Sequence, residues 1–334
     1  MAVLGAGSWG TALAVHLART GHQTVLWGRN AAQMADLAAA RCNTRYLPLT
    51  PFPASLRVEP DLARAVAAAQ ELLIAVPSHG FRECLEHVAP LLRNGMRVAW
   101  ATKGFELDSG KLPHQVANEV LGNAVPKAVL SGPTFAREVG LGLPTAMTVA
   151  SRDQAYALAL ARALSGQHFR AYASTDVIGV EVGGATKNVL AIGAGISDGL
   201  GFGANTRVAL ITRGLAEMMR LGVALGADKD TFMGLAGLGD LVLTCTDDQS
   251  RNRRFGLALA AGKSTAEAQR EIGQVVEGVL AARAVRNVAS NHQVEMPIAE
   301  QICRVIYEGL APRGSRGGAD GPRGEVGDAV TSLG

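Results

Sequence analysis

The stretch AVLGAGSWGTALAVHLART sits almost at the first residue of this chain and leaves few choices of fold. A β-prone triplet, Ala2 to Leu4, runs directly into Gly5, Gly7 and Gly10, and these open a run with helical periodicity. Glycines so spaced between strand and helix give a tight turn, and they let an anionic group approach the free N–H groups at the helix start. The spacing alone would mean little in a chain with 40 glycines. The strand before it and the helix after it give it weight, and together they read as a pyrophosphate turn. Only Met1, Ala2 and Val3 precede Leu4. Strands usually run roughly 5–6 residues, so the sequence predicts a first strand that is frayed, or a start assigned late.

The rest of the first half keeps the same rhythm. Strands are expected at QTVLW (23 to 27), LRV (56 to 58), ELLIAV (71 to 76), RVAWA (97 to 101), KAVLS (127 to 131), TAMTVA (145 to 150) and HFRAY (168 to 172). Ala-rich helical patterns such as TALAVHLART and DLARAVAAAQ lie between several of them, which predicts a mostly parallel sheet covered on both faces. From about Asp176 the pattern turns helical: the segment around Lys187, RVALITRGLAEMMRLGVALG, RFGLALAAG, and VLAARAVRNVA through AEQICRVIYEGL. The expected organisation is an α/β, Rossmann-type, mostly parallel sheet domain over 1–175 and an all-helical C-terminal domain over 176–310. A Gly-, Pro- and Arg-rich tail over 311–334 is expected to be disordered.

Composition narrows the function. At 334 residues, 48% hydrophobic and 18% charged, the chain has enough apolar surface for a large core. A net charge of +3, without a basic run interleaved with aromatics, argues against a nucleic-acid partner. The N-terminus has no basic leader and every apolar stretch is interrupted before spanning length, so neither a signal peptide nor a membrane span is expected. Cys42, Cys84, Cys245 and Cys303 form no CxxC pair and no metal-like cluster with the seven histidines. Reduced thiols, a cytoplasmic location and no metal follow as expectations. The oligomeric state stays open, a homodimer included.

Five stretches carry chemistry-bearing residues. After the second strand, where an acidic ribose ligand is usual, the sequence reads LWGRN. Arg29 and Asn30 stand there, and an arginine in that place either pairs with a 2′-phosphate or lies solvated. NADPH is therefore expected to be accepted at least as well as NADH. In EVGGATKNVLAIGAGI, Lys187 is the only charged side chain between Glu181 and Asp198. A buried ammonium needs partners, and Thr186 and Asn188 add polar groups beside it. Its stem lies along apolar surface with the head in water, or it is a catalytic group. A second polar island, GLAGLGDLVLTCTDDQSRNRRFG, contains Asp240, Thr244, Ser250, Arg251 and Asn252, a set suited to a polyhydroxy anion. Asp240 could equally cap a helix, and Arg253 and Arg254 are expected to be a solvated basic turn. Lys103, in ATKGF, and Gly132, Thr134 and Ala136, in SGPTFAREV, follow strand ends, where ligands of open α/β sheets collect.

In order along the chain, GAGSWGTALA, LWGR, AVPSH, ATKGFE, LSGPTFAREV, GGATKNVLAIGAGI, GLGDLVLTC, SRNRRFG and VVEG resemble the bacterial-type NAD(P)-dependent glycerol-3-phosphate dehydrogenases, from the first residue to about Leu310. The resemblance implies reversible hydride transfer from NADPH or NADH to dihydroxyacetone phosphate, giving sn-glycerol 3-phosphate for glycerophospholipid synthesis, with no metal. It implies Lys187 as the proton-transfer residue, oriented by Asp240, with Asn188 on the reacting oxygen. Lys103, Gly132, Thr134, Lys187, Asp240, Ser250, Arg251 and Asn252 would hold substrate. Gly5, Gly7, Ser8, Trp9, Gly10, Arg29, Asn30, Tyr46, Lys103, Ala136, Arg251, Val275 and Glu277 would meet the cofactor. The rivals are another two-domain dehydrogenase, acting on a hydroxy acid or a sugar nucleotide, and a non-catalytic dinucleotide sensor. Joint retention of Lys187, Asp240, Arg251 and Asn252 disfavours the sensor.

Overall fold

The computed structural model describes residues 1–312. The expected tail over 311–334 falls almost wholly outside them. The described residues divide into two compact units, one formed by Met1–Lys103 with Leu112–Val180, the other by Gly104–Lys111 with residues 181–312.

The first unit contains β1 (Ala2–Leu4), α1 (Ser8–Arg19), β2 (Thr24–Trp27), α2 (Ala31–Ala40), β3 (Cys42–Asn43), β4 (Leu47–Pro51), β5 (Leu56–Val58), α3 (Leu62–Ala67) and β6 (Glu71–Ile74). It continues through α4 (Phe81–Val88), β7 (Arg97–Trp100), α5 (Pro113–Leu121), β8 (Lys127–Ser131), α6 (Ala136–Leu141), β9 (Thr145–Ala150), α7 (Gln154–Leu164) and β10 (Phe169–Ser174). Eight strands make one sheet in the order β10-β9-β8-β7-β6-β1-β2-β5, parallel throughout except between β8 and β9. The central strands β1 and β6 are buried along their whole length. That is why β1 is wholly apolar and β6 is apolar after Glu71, which pairs with Arg97, whereas the edge strand β10 mixes buried and exposed positions.

Strand β1 is short but not frayed, because it is paired on both sides, to β2 and to β6, over all three of its residues. The chain leaves β1 toward β2 on one side and returns as β6 on the other, so the glycine turn lies at a reversal of strand order. Strand β6 stops at Ile74 rather than Val76, since Ala75 already belongs to the loop against which Gly5 packs. The hairpin of β3 and β4 has no counterpart in the sequence reading. Its second strand, LPLTP, carries Pro48 and Pro51, which a two-stranded ribbon tolerates and a sheet interior would not.

The second unit is helical: most of α8 (Val177–Gly199), then α9 (Gly203–Ala224), α10 (Asp240–Thr246), α11 (Arg251–Ala260), α12 (Thr265–Ile272), α13 (Glu277–Asn291) and α14 (Pro297–Tyr307). Glycine is a poor helix former, yet α8 holds several. A Cβ at Gly195 would overlap the Arg253 carbonyl oxygen, and one at Gly256 the Ile192 carbonyl oxygen, so the two helices cross backbone to backbone. Among the described residues α8 is the one helix long and apolar enough to cross a membrane, and 94% of its apolar window is buried inside the protein.

Candidate active site

In the first unit the glycine turn is shaped by what surrounds it. Gly5 has φ +125°, and a Cβ there would lie 2.7 Å from the Ala75 carbonyl oxygen. A Cβ at Gly10 would overlap the Gly5 carbonyl, whereas one at Gly7 would meet nothing within 4 Å. Gly7 is the N-cap of α1 and offers no side chain to the first turn. The backbone N–H groups that open α1, from Ser8 on, therefore face outward without intrahelical acceptors. Buried Nε1 of Trp9 has no hydrogen-bond partner among the described residues. Open space at Gly7, donors at the helix start and the positive end of its dipole suit a pyrophosphate. The turn is fastened by two residues the sequence reading missed. Asn43 Nδ2 donates to the Ala6 carbonyl (3.2 Å) and to Thr11 Oγ1 (2.8 Å), and Gln33 Nε2 donates to the same carbonyl (3.0 Å).

Arg29 lies exposed just beyond β2 and makes no ion pair among the described residues. Asn30 is the N-cap of α2, its Oδ1 accepting from Gln33 N at 3.0 Å, so half of its side chain has a structural task. Tyr46 sits in the β3–β4 turn, half-buried, with the Arg45 guanidinium 5.2 Å above its ring. Past β7, Thr102 donates to the Val76 carbonyl (2.7 Å) and ties two strand-end loops together. Lys103 Nζ then reaches the Gly132 carbonyl at 3.4 Å, to which Thr134 Oγ1 also donates at 3.2 Å. Gly132 has φ +151° and packs against Met147, where a Cβ would come within 2.9 Å of the Met147 Cα. Lys103, Gly132 and Thr134 thus form one cluster, and Ala136 begins the short helix after it.

In the second unit Lys187 is 8% exposed and its Nζ donates to Asp240 Oδ1 and, at 3.0 Å, to Thr244 Oγ1. The threonine hydroxyl spends its own proton on the Asp240 carbonyl (2.6 Å), which leaves its oxygen to accept from the ammonium. Asp240 is 1% exposed and is the first residue of α10 rather than its cap, where the helix dipole favours a carboxylate. Its approach to Lys187 depends on Gly183, one turn earlier on α8. A Cβ at Gly183 would overlap the Ala236 carbonyl in the wide turn Leu235–Gly239 that leads into α10. A carboxylate and a hydroxyl on one ammonium offset its desolvation and hold it at a fixed point.

Beside this cluster runs a chain of amides. Gly278 N–H donates to Asn252 Oδ1 (2.9 Å), Asn252 Nδ2 to Asn188 Oδ1 (2.9 Å), and Asn188 Nδ2 to Glu277 Oε2 (3.2 Å). Ser250 is the N-cap of α11 and accepts from Arg253 N at 3.2 Å. Arg251, half-exposed, has Nη1 3.4 Å from Gln274 Oε1, and Val275 is 46% exposed in the loop that follows. Arg254 is exposed as expected, but Arg253 is not a solvated basic residue. It is 8% exposed and its Nη2 pairs with Asp198 Oδ2 on α8 at 2.7 Å, with Nη1 on Asp248. The partner that draws it inward lies 55 positions earlier, beyond the reach of any local pattern. Among the described residues no group of three His, Cys, Asp or Glu side chains is placed to hold a metal ion.

Residues 1–157 match the family described as the N-terminus of NAD-dependent glycerol-3-phosphate dehydrogenase, and residues 176–315 match its C-terminus. The chain is 59% identical over 314 residues to glycerol-3-phosphate dehydrogenase [NAD(P)+] of Aeromonas salmonicida, covering 94% of each. The identity is 58% to the protein of the same name from Escherichia coli, covering 94% of this chain and 93% of that one. The crystal structure of glycerol-3-phosphate dehydrogenase from Coxiella burnetii superimposes with a TM-score of 0.90 at 48% identity, covering 93% of this chain and 95% of that one.

Proposed function

Since this chain belongs to the NAD-dependent glycerol-3-phosphate dehydrogenase family, we propose that Lys187, held by Asp240 and Thr244, gives and takes the proton of its reaction. The chain is an oxidoreductase with NAD(P)-dependent glycerol-3-phosphate dehydrogenase activity; its substrate is glycerol 3-phosphate or dihydroxyacetone phosphate, and the family implies no metal. The hydroxy-acid, sugar-nucleotide and sensor readings give way to that identity.

The nicotinamide, when bound, supplies or accepts the hydride at its C4. The chain supplies the rest. Lys187, as the ammonium, donates a proton to the alkoxide oxygen that develops on C2 of the triose and recovers it in the oxidation direction. Asp240 and Thr244 fix the ammonium, so that its proton is delivered from one position. Asn188 directs the reacting oxygen, and Arg251, with Asn252 and Ser250, holds the phosphate. Anchoring the charged end of so small a substrate orients its carbonyl, and this binding energy serves the chemical step. In the first unit Gly5, Gly7, Ser8, Trp9 and Gly10 would cradle the pyrophosphate and Arg29 the 2′-phosphate. Asn30, Tyr46 and Ala136 would add cofactor contacts there, and Lys103, Gly132 and Thr134 would meet a ligand at the strand ends; in the second unit Val275 and Glu277 are the candidates for cofactor contacts. We place the enzyme in the cytoplasm, supplying glycerophospholipid synthesis.

The observation that carries this reading is the buried Lys187 ammonium held between a carboxylate and a hydroxyl. Asp240→Asn tests it, keeping shape while removing charge. Oxidation of NADPH by dihydroxyacetone phosphate should slow by roughly 100-fold or more in the variant, the scale of lost acid–base catalysis. An unchanged kcat would take the pair out of the chemistry.

A further inference from the structure

The geometry points to Glu277 as a positioning residue of the reaction, acting through Asn188 rather than through the cofactor alone. The inference rests on reading Asn188 and Asn252 as groups that meet the substrate. An asparagine amide offers an oxygen on one side and an NH₂ on the other, and its orientation must come from its neighbours. Here both ends of the amide chain are fixed. At one end Gly278 N–H can only donate, so the group facing it must be Asn252 Oδ1. Asn252 Nδ2 is then turned to Asn188, whose Oδ1 receives it. Asn188 Nδ2 is left facing Glu277, whose carboxylate can only accept. A backbone donor at one end and an anion at the other impose the same direction on both amides.

Each NH₂ spends one N–H within the chain and keeps a second. Among the described residues neither asparagine makes a further donation, and both are buried. Two oriented N–H groups in a dry site suit an oxygen-rich anionic ligand. The backbone end sets the direction, and the carboxylate holds Asn188 at its far end by a charge-assisted bond. Glu277 also lies in the first turn of α13, where a carboxylate stabilises a helix on its own account. Stability measurements therefore do not separate the two roles, and kinetics must.

The experiment uses the full chain and four variants, Glu277→Leu, Glu277→Gln, Asn188→Ala and the double variant Glu277→Leu/Asn188→Ala. KM for dihydroxyacetone phosphate, kcat, and Kd for NADPH by fluorescence titration are measured on each. Glu277→Leu should raise KM for dihydroxyacetone phosphate, or lower kcat, by roughly 10-fold or more, and by a larger factor than it raises Kd for NADPH. Glu277→Gln, which still offers an acceptor, should recover most of the loss. In the Asn188→Ala background Glu277→Leu should add little, because the residue it acts through is gone. An effect confined to Kd for NADPH, or one that multiplies in full with Asn188→Ala, overturns the inference. If Asn188→Ala alone leaves kcat and both constants unchanged, the reading of the site fails, and the inference with it.

Discussion

Lys187 and Asp240 stand 53 positions apart in the chain and share a hydrogen bond inside the second unit. Neither is intelligible alone. The lysine interrupts an apolar helix, and the aspartate opens a short one. The contact exists because Gly183 lets the turn before Asp240 lie against the backbone of α8. Small residues in α8 thus do what large ones do in most cores: they decide which polar groups meet.

Arg251→Ala is expected to weaken binding of dihydroxyacetone phosphate far more than of NADPH, by about 1.5–3 kcal/mol for a lost charge-assisted contact to phosphate. Michaelis constants for both substrates check it. An effect on NADPH alone would contradict the phosphate role.

Arg253→Ala should destabilise the protein by about 3 kcal/mol, because among the described residues it leaves the largely buried Asp198 carboxylate only the half-exposed Arg207 as ion-pair partner. Arg254→Ala, on the exposed side of the same helix, should change stability by less than about 0.5 kcal/mol. Denaturant midpoints of the two variants provide the comparison, and equal shifts would show that the buried pair is not what holds α11.

That contrast between adjacent arginines shows where sequence reasoning ends. The glycine turn was legible because strand, turn and helix are contiguous, and Lys187 because burial of a lone charge contradicts its surroundings. The sheet followed from the alternation of apolar strands with Ala-rich helices. Arg253 looked solvated because nothing near it is acidic and buried; Asp198 is supplied by another helix. Asn43 and Gln33 stayed invisible for the same reason, since their acceptor, the Ala6 carbonyl, carries no side-chain signal. The β3–β4 hairpin was hidden by its prolines.

Burial holds the pKa of His16 below its ordinary 6.5, while the Leu164 carbonyl, 2.6 Å from Nε2, pulls the other way. The folded state therefore takes up a proton less readily than the unfolded chain, so this contribution to stability is present above about pH 6.5 and is lost as pH falls through the folded pKa. Thermal midpoints between pH 8 and pH 5 should fall on the acid side, and less steeply in His16→Gln. Parallel acid limbs would assign the fall to other groups.

Arg29→Asp removes a partner for the 2′-phosphate and adds repulsion, while offering a ribose hydroxyl an acceptor. Cofactor preference should move from NADPH toward NADH. Steady-state constants for both cofactors, at one ionic strength because an exposed pair is screened by salt, read the change. An unchanged ratio would make Arg29 a bystander.

The central claim is that Lys187 moves the proton, and Lys187→Arg tests it most directly. A guanidinium keeps the charge that Asp240 needs, so the buried carboxylate is not abandoned, but it does not release a proton at working pH. The account predicts a folded variant with Kd for NADPH near that of wild type and kcat with dihydroxyacetone phosphate lower by at least ~100-fold. Turnover close to wild type in that folded, NADPH-binding variant would contradict it.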